Sequence, residues 1–289
     1  IMKKALYIFV ALALVACSKS EVAYDTANDG ELVVVPAASN ITKAAITDGI
    51  YPEENHISLF AFHAPGVPSG AVTDYSKFIE TYLYDTEYFY TGTDQSTKIW
   101  GGLKASYYWP ITGSLVFAGY SLEAPTAAGE RAESPKIGTK VAYTLATDKL
   151  EIEGYTQSLD PASTFDFLYF GRTSSSYNNR RTGDPIALEF KHALSWIKFF
   201  VCKKDVSGYD ITVNSIKLNG ASYQGTLTLS NGQFNEETAQ DTDNVGASWS
   251  NTTSKDNVFV PNSDGTAEAA AVTLTTSPQA FGNGLLVVP

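Results

Sequence analysis

Histidine and serine side chains are the first candidates for catalysis, because they can act as base and nucleophile near neutral pH. The 289-residue chain has three histidines, His56, His63 and His192. His56 and His63 stand seven residues apart, which in a β-strand places them on opposite faces and makes a poor metal-chelating pair. Ser195 follows His192, but no Gly-x-Ser-x-Gly elbow surrounds it. The spacing therefore predicts no catalytic residue, no metal site and no cofactor, in a protein that is not an enzyme.

Acidic residues dominate the charge of the chain, with 31 Asp and Glu against 20 Lys and Arg and a formal net charge of −11. The run Asp241–Asn244 resembles the start of a calcium loop, but the glutamate that the motif needs at position twelve is missing. The sequence has no glycine-rich phosphate loop and no basic aromatic stripe. Because the charge repels phosphate groups, nucleic acid is excluded as a partner.

The densest aromatic region of the chain contains four tyrosines that permit two interpretations: Tyr82, Tyr84, Tyr88 and Tyr90. They could form a platform on which the rings of a glycan stack. They could instead fill the core or the rim of a β-sandwich, where aromatic residues are common. Their alternation along strands favours the second interpretation.

Cys17 ends a segment that is organised like a bacterial export signal. Two lysines precede a short apolar run, and Leu14–Cys17 resembles the lipobox of bacterial lipoproteins. We expect residues 1–16 to be removed and Cys17 to carry lipid, which holds a protein on a membrane without a spanning helix. Cys202 is then the one remaining thiol, so an internal disulfide cannot form.

Short alternating strands are the main structural signal beyond a polar tether at Ser18–Asp29. Several segments place every second apolar side chain on one face, as a half-buried strand requires: Ile57/Leu59/Ala61, Ile186/Leu188/Phe190, Ile197/Phe199/Val201 and Leu227/Leu229. In residues 211–218 the alternation slips by one residue, which indicates a bulge or a break between two strands. Only residues 76–84 could form a short amphipathic helix. The pattern predicts an all-β fold.

The polar run Arg172–Asp184 is the most plausible domain boundary, because few of its side chains can be buried. The expected organisation is a tether and first-strand region at 17–40, an N-terminal β-sandwich at 41–184 and a C-terminal β-sandwich at 185–289. The sequence stops at Leu285–Pro289, an apolar run with no further strand behind it. We therefore expect the second sandwich to be incomplete at its C-terminus.

Six short motifs, in one order along the chain, carry a resemblance to a known family. They are Ile41–Ala44, Tyr107–Pro110 with Leu115–Tyr120, Asp166–Tyr169, Phe190–Ser195, Gly225–Leu227 before Asn231-Gly232, and Gly284–Pro289. In this series the chain resembles the fimbrillin family, the lipoprotein pilus subunits and pilus-like adhesins of Bacteroidales-type bacteria. The resemblance covers nearly all of the chain after Cys17.

The resemblance implies two transthyretin-like β-sandwich domains in tandem and assembly with other pilus subunits by strand exchange. In polymerising members a protease removes the first strand, and a strand of a neighbouring subunit fills the groove that is left. The best-known processing enzyme cuts after arginine, but the first arginine here is Arg131. Lys43 occupies the place of the cleavage site, so maturation here is expected to need a different protease.

The resemblance also implies a location and leaves one alternative function open. Ser18–Glu21 partly resembles the acidic signal that sends such lipoproteins to the outer face of the outer membrane, where host or bacterial surface ligands are accessible. The expected function is a structural or adhesive cell-surface lipoprotein that serves as stalk, anchor or tip adhesin. The alternative is a surface glycan-binding lipoprotein of a polysaccharide uptake system, because such proteins are also lipidated, β-rich and aromatic.

Overall fold

All regular secondary structure in the described residues of the computed structural model is β-strand, which confirms the predicted all-β class. The structure describes residues 31–38, 51–65, 80–90, 100–110, 112–125, 133–144, 149–159, 165–170, 186–204, 208–230, 247–261 and 269–289. The strands are β1 Val34–Ala38, β2 His56–Ala64, β3 Glu80–Tyr90, β4 Trp100–Gly102, β5 Ser114–Leu122, β6 Lys140–Thr144, β7 Lys149–Thr156, β8 Leu168–Phe170, β9 Ile186–His192, β10 Ser195–Val201, β11 Thr212–Val213, β12 Lys217–Leu218, β13 Ala221–Ser230, β14 Ala247–Lys255, β15 Val258–Phe259, β16 Val272–Thr273 and β17 Gln279–Val287.

Seven strands close into a barrel in the order β1-β4-β3-β2-β5-β8-β9. Most neighbours in the barrel run antiparallel, but β1 runs parallel to β9. A second sheet has four strands in the order β14-β13-β7-β6, and three two-stranded pairs, β10-β17, β11-β16 and β12-β15, complete the described strands.

Strands β2 and β5 form a wall that is buried on both faces. Ile57 and Leu59 point into the barrel and pack in its core, which we call the barrel core. Phe60 and Phe62 point outward, into a second core that is closed on its far side by β7 and β13. All nine residues of β2 are buried, and its central residues Leu59–Phe62 are an unbroken apolar run rather than the predicted half-buried alternation, as expected for a strand covered on both sides.

A third core lies beyond the second one, around β10, β12, β15 and β17. Strand β17 separates these two cores. Leu286 and Val288 pack in the second core, whereas Leu285 and Val287 pack in the third. The three cores are therefore stacked in series, with β2 and β5 as the first partition and β17 as the next.

The structure settles two details of the sequence interpretation. The helix considered for residues 76–84 is wrong from residue 80 onward, because Glu80 begins β3 and pairs with His63 of β2. The slip in alternation at residues 211–218 is a break, since β11 pairs with β16 and β12 pairs with β15.

The division into two tandem transthyretin-like sandwiches at residues 41–184 and 185–289 stays a prediction. Strand pairing links the two ranges at two places, because β9 pairs with β8 in the barrel and β13 pairs with β7 in the four-stranded sheet. Nothing in the described part of the chain forms a helix long and apolar enough to span a membrane.

Candidate functional site at the first strand

The first strand, β1, completes the barrel by lying between β4 and β9. Five consecutive residues, Val34 to Ala38, pair in parallel with Ile186 to Phe190, while a single register pair joins Val34 to Trp100 of β4. Two further backbone hydrogen bonds hold its start, from Leu32 N to Tyr107 O at 2.6 Å and from Ile186 N to Val33 O at 3.0 Å. Most of the attachment of β1 is therefore to one neighbour, β9.

The side chains of β1 alternate between the barrel core and the surface. Leu32, Val34 and Pro36 are buried, whereas Val33 and Val35 are partly exposed. Leu32 and Val34 belong to the barrel core, together with Trp100, Leu188 and Phe190 among others. Each fully buried aliphatic side chain of this size stabilises the fold by about 1.5–3 kcal/mol. Without β1, the barrel would have an apolar groove between β4 and β9, flanked by unpaired backbone groups of β9.

The lipidation residue Cys17 and the maturation residue Lys43 lie outside the described residues, as does the calcium-like run Asp241–Asn244. Their roles stay predictions. In the sequence, Lys43 follows the last residue of β1 by five positions, so a cut there would detach β1 from the rest of the barrel.

A polar cleft of about 410 Å³ opens where β3 is irregular. The register between β2 and β3 shifts near Tyr84 and Asp85, and Asp85 adopts a left-handed conformation with φ of 48°. Such bulges redirect side chains. Asp85 Oδ1 accepts hydrogen bonds from Ser58 Oγ at 2.6 Å and from the Tyr120 hydroxyl at 2.5 Å. Burial, and next the charge of Asp85, raise the pKa of Tyr120 well above its ordinary value, so this hydroxyl keeps its proton.

Glu87 is the second carboxylate that the irregular strand presents to the cleft. Its Oε1 lies 2.6 Å from His56 Nδ1 and accepts a hydrogen bond from Ser134 N at 2.8 Å. Burial raises the pKa of Glu87, but the hydrogen bonds from His56 and Ser134 outweigh it and leave the net pKa below the ordinary value. Glu87 therefore stabilises the folded state in its charged form.

Glu87→Gln is expected to lower the free energy of unfolding by about 1–3 kcal/mol at pH 7, because a charge-assisted hydrogen bond is lost. A lowered folded pKa gives a contribution that is complete above the ordinary value of 4.5 and disappears as the pH falls through the folded pKa. The difference between the natural protein and the variant should therefore shrink in acid. Urea unfolding at pH 7 and pH 3.5 measures this.

Glu133→Gln is the matched control for that prediction. Glu133 lines the same cleft and pairs with Lys104 at 2.7 Å, but both side chains are mostly exposed. Exposed ion pairs contribute about 0–1 kcal/mol. If Glu133→Gln lowers the free energy of unfolding as much as Glu87→Gln does, the stabilising role assigned to charged Glu87 is contradicted.

The four candidate stacking tyrosines do not share one surface. Tyr88 is fully buried in the barrel core, and Tyr82 and Tyr90 pack against that core, as the core-or-rim interpretation expected. Tyr84 is 48% exposed and points to the other side of β3, into the polar cleft. A role of these residues in binding glycans stays a prediction.

The histidines are each paired with a carboxylate. Nδ1 of His63 lies 2.7 Å from Glu80 Oε2, and Nδ1 of His192 lies 3.2 Å from Asp166. Among the described contacts none joins His192 to Ser195, which lies in β10. Sequence reasoning did not find Asp85 and Glu87 as neighbours of one cleft, because their placement depends on a bulge that has no sequence signature here.

The fold defines an all-β protein in which a short N-terminal strand closes a barrel. The model of the fimbrillin-like family matches residues 27–283, so the chain belongs to the fimbrillin-like family. At the level of the family this makes it a pilus-type structural protein of the cell surface rather than a member of an enzyme family.

The comparison with solved structures finds a fimbrial protein from Bacteroides vulgatus ATCC 8482. The two chains are 14% identical with a TM-score of 0.41, over 87% of this chain and 77% of the other. A comparison with curated proteins gives no match.

Proposed function

We propose that the protein is a fimbrial subunit that assembles by exchanging its first strand for a strand of a neighbouring subunit. The observation that carries this proposal is the position of β1. It fills the gap between β4 and β9, pairs in parallel with β9 and buries Leu32 and Val34 in the barrel core. An incoming strand with the same alternation can satisfy the same backbone groups and fill the same pockets.

Cleavage after Lys43 would convert β1 from a tethered segment into a separate peptide. While it is tethered, β1 is held at a high effective concentration beside its groove. Once it is cut, only its few side chains and backbone bonds retain it, and a longer strand from another subunit can replace it. The chain thus stays closed until a protease acts on it.

The site of maturation can be tested on the surface-exposed form of the protein. The N-terminus of that form is expected to be Ala44, and the mature protein is expected to form ladders on unheated gels. Lys43→Gln should abolish both, whereas Lys77→Gln, the control, should abolish neither. Ladders of undiminished intensity from an uncut Lys43→Gln chain would refute the proposed order of cleavage and assembly.

The proposed anchor is lipid on Cys17, which holds the uncut protein on the outer membrane with its body exposed at the cell surface, until cleavage after Lys43 separates the body from the lipid. In the chain kept uncut by Lys43→Gln, Cys17→Ala is expected to move the protein from the membrane to the soluble fraction after cell lysis, because the acyl chains supply the membrane affinity. Cys202→Ala is the control and should leave the protein on the membrane. Membrane retention of Cys17→Ala equal to that of the chain carrying Lys43→Gln alone would rule out this anchor.

A further inference from the structure

The polar cleft beside β3 has the composition of a site for an uncharged, hydroxyl-rich ligand. Acidic and basic residues line it in equal number: Asp85, Glu87, Glu133, Lys104, Lys136 and Lys140. Two of the ammonium groups are paired, Lys104 with Glu133 inside the cleft and Lys140 with Glu153 of β7. An ion gains little from such a balanced lining, whereas hydroxyl groups can both donate to carboxylates and accept from ammonium groups. A cleft of about 410 Å³ also lies within the range of small-ligand sites.

The carboxylates of Asp85 and Glu87 are fixed by hydrogen bonds from neighbouring protein groups. Asp85 accepts hydrogen bonds from Ser58 and Tyr120 on Oδ1, and Glu87 accepts hydrogen bonds from His56 and Ser134 N on Oε1. Because each bond is made to one oxygen of its carboxylate, the other oxygen can accept a hydrogen bond from a ligand. Fixed acceptors supported by buried partners lose little freedom when they bind.

Tyr84 supplies an apolar surface beside these acceptors. The residue is 48% exposed, yet its ring packs edge-on against Phe60 with 5.1 Å between ring centroids. Its hydroxyl accepts a hydrogen bond from Tyr143 N at 3.1 Å. An aromatic ring fixed in this way presents a rigid flat surface of the kind that recognition sites use as an anchor.

We infer that this cleft binds a neutral carbohydrate, with the apolar face of a sugar ring on Tyr84 and its hydroxyl groups on Asp85 and Glu87. The site lies on the side of β3 that faces the second core. It meets the first-strand segment only through Tyr107, which lines the cleft and whose backbone oxygen accepts the hydrogen bond from Leu32 N, whereas the proposed ligand contacts all lie on β3. Binding therefore does not require strand exchange. The cleft would give the subunit an adhesive activity that is independent of its role in assembly.

The experiment is affinity electrophoresis of the full chain carrying Lys43→Gln, which keeps it uncut and removes any gain in avidity from polymers. Native gels are cast with a glucan, a mannan, a galactan or a xylan, and with dextran sulfate as the anionic comparison. We expect retardation by at least one neutral polymer, with a midpoint concentration that is raised about tenfold or more by Tyr84→Ala.

Two further variants make the result specific to the cleft. Asp85→Asn retains an oxygen for Ser58 and Tyr120, and asparagine tolerates the left-handed conformation, so the variant should fold while binding about tenfold more weakly. Tyr209→Ala, which removes a tyrosine that is 68% exposed elsewhere, should bind like the parent.

The inference is overturned if no neutral polymer retards the parent chain, if only dextran sulfate does, or if Tyr209→Ala weakens binding as much as Tyr84→Ala. Unchanged binding of a folded Asp85→Asn chain would also overturn it. Strand exchange is measured separately through gel ladders of the cut chain, so failure of one proposal leaves the other intact.

Discussion

Val34→Asp is expected to expel the first strand from the barrel and to lower the free energy of unfolding by about 3–5 kcal/mol, because a carboxylate would be buried without a partner. Val34 is fully buried in the barrel core and lies opposite Trp100. Urea unfolding followed by tryptophan fluorescence measures the effect. An emission shift in the absence of denaturant would report water entering beside Trp100.

Val35→Asp is the matched control for this prediction, since it makes the same change one position further along the strand. The Val35 side chain lies on the outer face of β1 and is only partly buried. Its replacement should change the free energy of unfolding by less than about 1 kcal/mol. Equal losses from Val34→Asp and Val35→Asp would mean that β1 is not inserted in the register described.

Gly119→Val is expected to destabilise the barrel core and the second core together, by more than about 3 kcal/mol. A Cβ atom at Gly119 would lie 2.3 Å from the backbone oxygen of Ser58 and 2.6 Å from Cε1 of Phe170. The backbone oxygen belongs to β2, so relief requires the wall between the two cores to separate. We expect a single unfolding transition at a lower urea midpoint.

Gly220→Ala serves as the control for Gly119→Val. Gly220 has a positive φ of 70°, but a Cβ atom there would meet no other atom within 4 Å. The expected cost is the local strain of about 1–2 kcal/mol alone. If Gly119→Val costs no more than Gly220→Ala, or if the two cores unfold in separate steps, the shared wall does not couple them.

Local alternation was sufficient to predict several strands. Ile186, Leu188 and Phe190 are buried in β9 with exposed neighbours, as their period of two required. The apolar run Leu59–Phe62 in β2 could also have indicated a strand buried on both faces. The β-branched run of Val33 to Val35 was a further signal for the first strand.

Closure of the barrel could not be predicted, because it depends on pairs distant in sequence. The parallel pairing of β1 with β9 joins residues about 150 positions apart. The polar cleft could not be predicted from the sequence either, since it requires the bulge that turns Tyr84 and Asp85 away from the barrel core. In a regular strand Tyr84 and Tyr88 would share one face, but the bulge puts them on different surfaces.

The central claim, an exchangeable first strand, is tested most directly by returning that strand as a peptide. A labelled peptide of residues 31–38 is added to the chain cut after Lys43, and binding and gel ladders are measured together. We expect the peptide to bind the cut chain, to suppress ladders and to lose both effects with Val34→Asp, while the uncut chain binds none. A cut chain that does not bind the peptide, or an uncut chain that binds it equally well, would contradict the account.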